Sequence, residues 1–151
     1  MPPLVIGCGN EHRGDDAAGL LVVRRLRELG LRTAEMGGEG VSLLDLWSGA
    51  GDVILVDAVL TGAEPGTVFR WDALRERIPR GAFRCSTHHF GVAEAVELGR
   101  ILDRLPRSLK IYGIEAAQFE LGAPPAPAVR EAIESLAARI ADEVFAGHLG
   151  S

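Results

Sequence analysis

A short apolar run, Leu4-Val5-Ile6, breaks at once into Gly7-Cys8-Gly9-Asn10-Glu11-His12-Arg13-Gly14-Asp15-Asp16-Ala17-Ala18-Gly19, which leads into a helical pattern. That order is a strand, a glycine-rich turn and a helix start. In an open α/β sheet this is where ligands collect. The turn is acidic, so a phosphate would meet Asp15 and Asp16 where it needs bare N–H groups. A cation would find the same place favourable. Lys110 is the only lysine, so the turn cannot be a phosphate loop of the kind that ends in Gly-Lys-Ser/Thr.

The rest of the chain alternates in the same way. A helix is predicted from Asp15 or Asp16 to about Leu29, with Leu20, Val23 and Leu26, or Val22, Leu26 and Leu29, on its apolar face. Leu31 to Met36 reads as a second strand, Gly37-Gly38-Glu39-Gly40 as a turn and Val41 to Trp47 as a short helix. Val53-Ile54-Leu55-Val56 is a continuous apolar run, the pattern of a strand buried on both faces of a parallel sheet, and it ends in Asp57. Thr61 to Gly66 is a turn, and Thr67 to Trp71 suits an antiparallel edge strand. Asp72 to Arg84 is polar and irregular. A helix is predicted over Phe90 to Leu105, with Ala95, Leu98, Leu102 and Leu105 inward and Val92 one turn earlier. Leu109 to Ile114 is another strand, ending in Glu115. After the prolines 124, 125 and 127, a helix over Ala128 to Phe145 carries Val129, Ile133, Leu136, Ile140 and Val144 on one stripe. The expected fold is α/β: one domain over residues 1–151, a mostly parallel twisted sheet with helices on both faces and an antiparallel edge strand.

With 151 residues, 47% hydrophobic and 25% charged, the chain has an ordinary globular composition and enough interior for a core. A net charge of −5 argues against nucleic acid or an anionic membrane as a partner. No basic-then-apolar leader and no bilayer-length apolar stretch occurs, so the expected setting is the cytoplasm, with Cys8 and Cys85 reduced.

Three polar positions are expected at one edge of the sheet: Asp16 past the end of the first strand, Asp57 closing the Val53–Val56 run, and His88 of Cys85-Ser86-Thr87-His88-His89-Phe90, near the N-terminus of the following helix. Each has an ordinary alternative. Asp15 or Asp16 can cap a helix, Asp57 can satisfy a turn, and His88 can be a solvated loop histidine. Asp15 is the better cap candidate, which leaves Asp16 for the cleft. Two carboxylates and an imidazole together form an incomplete coordination shell suited to nickel or zinc, with positions open to substrate or water. Glu115 is a further acidic candidate for the cleft. Neither H-E-x-x-H nor G-x-S-x-G occurs. Cys85, three residues before His88, has no evident orienting partner and reads as a structural thiol. His12 and His148 read as solvated.

In order along the chain, these residues resemble the motifs of the hydrogenase maturation proteases, endopeptidases that trim the C-terminal extension of a nickel–iron hydrogenase large subunit. The family's G-x-G-N-x-x-x-G-D-[DE]-G-x-G is similar to Gly7 through Gly19, and its G-T-x-G-x-x-L-L to Gly37 through Leu44. Its strand ending in D-A resembles Val56-Asp57-Ala58, its S-x-H-x-x-G resembles Ser86 through Gly91, and its G-I-E-P resembles Gly113 through Ala116. Ala17, Gly38 and Ala116 depart from the family's glycine, threonine and proline. The resemblance implies that Asp16, Asp57 and His88 are the catalytic and metal-contacting residues. It implies that the metal is nickel already inserted in the hydrogenase large-subunit precursor, for which zinc or cadmium could substitute. A metal-binding chaperone or sensor without hydrolytic activity is the alternative from another class. A nucleotide-binding module at the first glycine turn is disfavoured by the acidic pair.

Overall fold

A computed structural model describes residues 2–37, 40–87 and 90–147, apart from the side chains of residues 40–42 and 87. The apolar run after Pro3 forms β1 (Leu4–Cys8), and the acidic turn forms a 3-10 segment (Gly14–Ala17) continuous with α1 (Ala18–Glu28). There follow β2 (Arg32–Met36), α2 (Gly40–Trp47), β3 (Asp52–Val59) and β4 (Val68–Asp72). The two-residue strands β5 (Ser86–Thr87) and β6 (Phe90–Gly91) precede α3 (Val92–Ile101), β7 (Ser108–Glu115) and α4 (Pro127–Ala146).

Five strands make one sheet in the order β2-β1-β3-β7-β4. The first four are parallel and β4 runs antiparallel to β7 at the edge, as the sequence pattern predicts. Side-chain alternation sorts the central strands between two cores. Val5, Ile54, Val56, Tyr112 and Ile114 pack under α1 and α4, whose inward residues include Val22, Leu26, Val129, Ile133 and Ile140. Leu4, Ile6, Val53, Leu55, Leu109 and Ile111 face α2 and α3, against Leu43, Trp47, Val92 and Val96. No helix among the described residues is long and apolar enough to cross a membrane.

Three expectations are corrected. Asp57 does not close its strand: the β3–β7 ladder continues past it to Val59 opposite Glu115, because a backbone ladder is indifferent to one acidic side chain. The α3 helix stops at Ile101 rather than Leu105, with Asp103 in a left-handed conformation just beyond it (φ 55°). Its buried face is therefore Val92, Ala95, Val96 and Gly99, and Leu102 is half exposed. Finally, the end of the irregular stretch is ordered. The Arg84 amide donates to Ala58 O (2.9 Å), the Leu60 amide to Ala82 O (2.8 Å), and Phe83 bridges Val59 antiparallel. Residues 82–84 thus lie beside β3 beyond Val56, the last β3 residue paired with β1.

Candidate active site

The acidic turn sits on the carboxyl ends of β1 and β3 because glycines let it come close. A Cβ on Gly19 would collide with the carbonyl oxygens of Cys8 and Val56. Gly9 has φ 155° and its absent side chain leaves room for Asp16 O, which accepts the Asn10 amide at 3.0 Å. The first motif is therefore a packing device as much as a loop signature.

The two adjacent aspartates take different tasks. Asp15 is fully buried and is not a helix cap. One of its carboxylate oxygens accepts the amides of Ala117 (2.7 Å) and Gln118 (2.8 Å), and the other that of Ala126 (2.7 Å). It fixes the loop after β7 to the loop after β1. Asp16 turns the other way, into a cleft of about 160 Å³ that it lines with Asn10, Arg84, Cys85 and Ser86. Its Oδ1 accepts from Arg84 Nε at 2.9 Å and its Oδ2 from Arg84 Nη2 at 3.4 Å. The same guanidinium lies 4.0 Å from the centre of the Phe119 ring.

Asp57 is fully buried. Strand alternation points it to the α3 side of the sheet, at a position the pattern would otherwise fill with a hydrophobe. Oδ2 accepts the Cys85 amide at 2.9 Å, while Oδ1 is buried and has no hydrogen-bond partner among the described residues. Burial pushes its carboxyl up to about 8, the neighbouring Asp16 adds to the rise, and the amides of Cys85 and Ala58 and the charge of Arg84 oppose it. Consecutive residues thus serve the two carboxylates: Arg84 holds Asp16 and Cys85 holds Asp57. With no partner among the described residues, the buried Oδ1 is an acceptor open to a proton or a donor.

His88, with His89, lies outside the described residues, as do Gly38, Glu39 and His148. Among the described residues no three His, Cys, Asp or Glu side chains gather for a metal. Glu115 is not a cleft group. Its carboxylate is consumed by the turn after β3, accepting the amides of Thr61 and Gly62 and the Thr61 hydroxyl. Cys8 and Cys85 are free and buried. The Cys8 thiol is raised well above its ordinary value, first by its hydrogen bond with Cys85 and then by burial, the behaviour of an inert core thiol. His12 is largely exposed. Arg84 is the residue that sequence reasoning missed. It lies in a run rich in arginine (Arg75, Arg77, Arg80, Arg84), and nothing in its spacing separates it from the others.

Comparison with known proteins places the chain in a family and matches its fold. The family model for HycI, hydrogenase maturation protease, matches residues 22–143. Hydrogenase expression/formation protein HoxM of Azotobacter vinelandii is 31% identical over 154 residues, covering 90% of this chain and 72% of that protein. The chain spans 58% and 62% of the length of two other curated relatives. The [NiFe] hydrogenase maturation protease HybD from Thermococcus kodakarensis superposes with a TM-score of 0.72 at 27% identity, over 95% of this chain and 98% of that one. The hydrogenase maturating endopeptidase HybD from E. coli has the same fold, with a TM-score of 0.78 at 22% identity over 99% and 95% of the two chains. On the extent of the family match and the identity to its relatives, the chain belongs to the hydrogenase maturation protease family.

Proposed function

We propose that this protein is the endopeptidase that removes the C-terminal extension of a nickel-loaded [NiFe] hydrogenase large-subunit precursor, with the substrate's nickel as recognition signal and Asp16, Asp57 and His88 as the residues that contact it. The observation that carries the reading is the Asp57 carboxyl. A buried acid with one oxygen unpartnered among the described residues and a second carboxylate beside it is costly unless something positive arrives. His88 follows Cys85 by three positions, and an extended chain covers at most about 11 Å over that span, so the sequence allows an imidazole from the Ser86–Gly91 motif to reach the same point.

In this reading the free protein holds the half-site with Asp57 protonated. Docking of the precursor draws the proton off as the metal meets the carboxylate. A substrate-borne divalent ion at this point would polarise the scissile carbonyl or the attacking water. The protein's part is orientation, which fixes the bond to be cut against the metal and lowers the entropic barrier. Water adds its hydroxyl to the carbonyl carbon, the C–N bond breaks, and the remaining proton goes to the released amine. Asp16 or Asp57 is placed to relay that proton.

The test is processing of purified precursor, nickel-loaded and nickel-free, followed by mass spectrometry of the C-terminus. Tail removal from the loaded form alone is expected. Asp16→Ala, Asp57→Ala and His88→Ala should each slow it by about 10²-fold or more while the fold survives by circular dichroism. Normal processing by all three variants removes the site assignment, and equal cleavage of the nickel-free form removes nickel recognition. Metal binding without cleavage of either form would favour a chaperone or sensor.

A further inference from the structure

We propose that Arg84 is a positioning residue for Asp16 and keeps free divalent cations off it. The guanidinium occupies the carboxylate in the resting protein and gives it up when metal arrives, keeping its contact with Phe119. The proposal rests on the reading of Asp16 as a metal-contacting residue.

The guanidinium fork reaches both oxygens of Asp16, Nε to Oδ1 at 2.9 Å and Nη2 to Oδ2 at 3.4 Å. A cation approaching that carboxylate needs the same lone pairs and meets a like charge a few ångströms away. The pair is also placed for exchange rather than for permanent locking. Arg84's side chain is about one-third exposed (35%), against 12% for Asp16. Its backbone is pinned by the amide bond to Ala58 O, so only the side chain has to move. The Phe119 ring beneath it, 4.0 Å from the guanidinium carbon, retains cation–π attraction after the carboxylate is given up. That ring sits in the loop that Asp15 anchors through Ala117, Gln118 and Ala126. Asp15 and Asp16 therefore hold the two ends of one device. With Arg84 in place a free ion must break a charge-assisted pair before binding. A metal delivered within a docked precursor has the docking contacts to drive the exchange.

Isothermal titration of the full chain with Ni²⁺ alone tests this, on wild type, Arg84→Gln, Arg84→Lys, Asp16→Asn and the Asp16→Asn/Arg84→Gln double variant. Arg84→Gln should bind Ni²⁺ about tenfold more tightly than wild type, or bind measurably where wild type does not, because a pair to a charged group no longer has to be broken. Arg84→Lys should fall between them, since it keeps the charge and loses the fork. The double variant should lose the gain. The sign is diagnostic, because a merely structural role predicts weaker binding on substitution. Affinity for Arg84→Gln equal to or below wild type overturns the proposal. If Arg84→Gln does not fold, an Arg84→Lys affinity no tighter than wild type overturns it equally. Failure of the underlying reading looks different: Asp16→Asn then leaves both Ni²⁺ affinity and precursor processing at wild-type level.

Discussion

Replacing Asp57 by asparagine should stabilise the metal-free protein at neutral and alkaline pH while abolishing precursor processing. The native carboxyl titrates at about 8, against an ordinary 3.8. Below about pH 3.8 both the folded and unfolded forms carry the proton. Between 3.8 and 8 the unfolded chain has lost it and the native state has not, so the native state is progressively disfavoured as pH rises. Above 8 the effect is complete. At about 1.4 kcal/mol per pH unit, the span amounts to about 6 kcal/mol, of which about 4 kcal/mol is already lost at pH 7. Residual structure in the unfolded chain makes these upper values. Asparagine keeps an oxygen for the Cys85 amide and has no proton to lose, so its stability carries no slope from this site. Urea denaturation of both proteins in the presence of a chelator, at half-unit steps from pH 5 to 8, should show the variant's advantage widening by about 1.4 kcal/mol per unit. A constant gap would refute the burial argument. A variant that gains stability and loses activity has had a functional strain removed, not a structural support.

Asp15→Ala should cost about 3 kcal/mol in urea denaturation, since three backbone amides lose their acceptor at once. It should also raise amide exchange across residues 116–126. Gly19→Ala should cost at least about 2 kcal/mol by the same measurement, because its methyl meets two strand-end carbonyls that cannot yield without moving β1 or β3. Lys110→Met should cost about 3 kcal/mol by stranding Asp72, which now holds Lys110 Nζ at 2.8 Å. Adding Asp72→Leu should recover most of that loss, and a double variant no more stable than the single would contradict the pairing.

Much of the scaffold is legible because it is written in periodicities. The α4 stripe of Val129, Ile133, Leu136 and Ile140 is buried as its spacing predicts, and the apolar run of β3 is central and parallel. Ends are less legible, since they are decided by non-local ladders and local backbone conformation. Asp57 stays in β3 because β7 pairs with it there, a fact absent from its own neighbourhood in sequence. The 82–84 segment has three residues and no alternation. Its pairing with β3 depends on β1 having ended, which only the assembled sheet reveals.

The site shows the same division more sharply. Sequence reasoning treats Asp15 and Asp16 as near-equivalents, with one to cap and one to act, and assigns the first task by the helix dipole. The sheet assigns it by distance: Asp15 reaches a loop more than a hundred residues away in sequence, and no side-chain cap hydrogen bond forms at the start of the 3-10 turn or of α1. Once Asp15 is committed to that loop, the 3-10 geometry turns Asp16 to the opposite side, towards Arg84. The basic partner arrives by the chain's path along β3, on the same stretch that delivers the Cys85 amide to Asp57. One backbone segment therefore sets the state of both carboxylates, neutralising the first with a guanidinium and giving the second a single amide. A shift of that segment changes the two together, because Arg84 and Cys85 are consecutive in the chain.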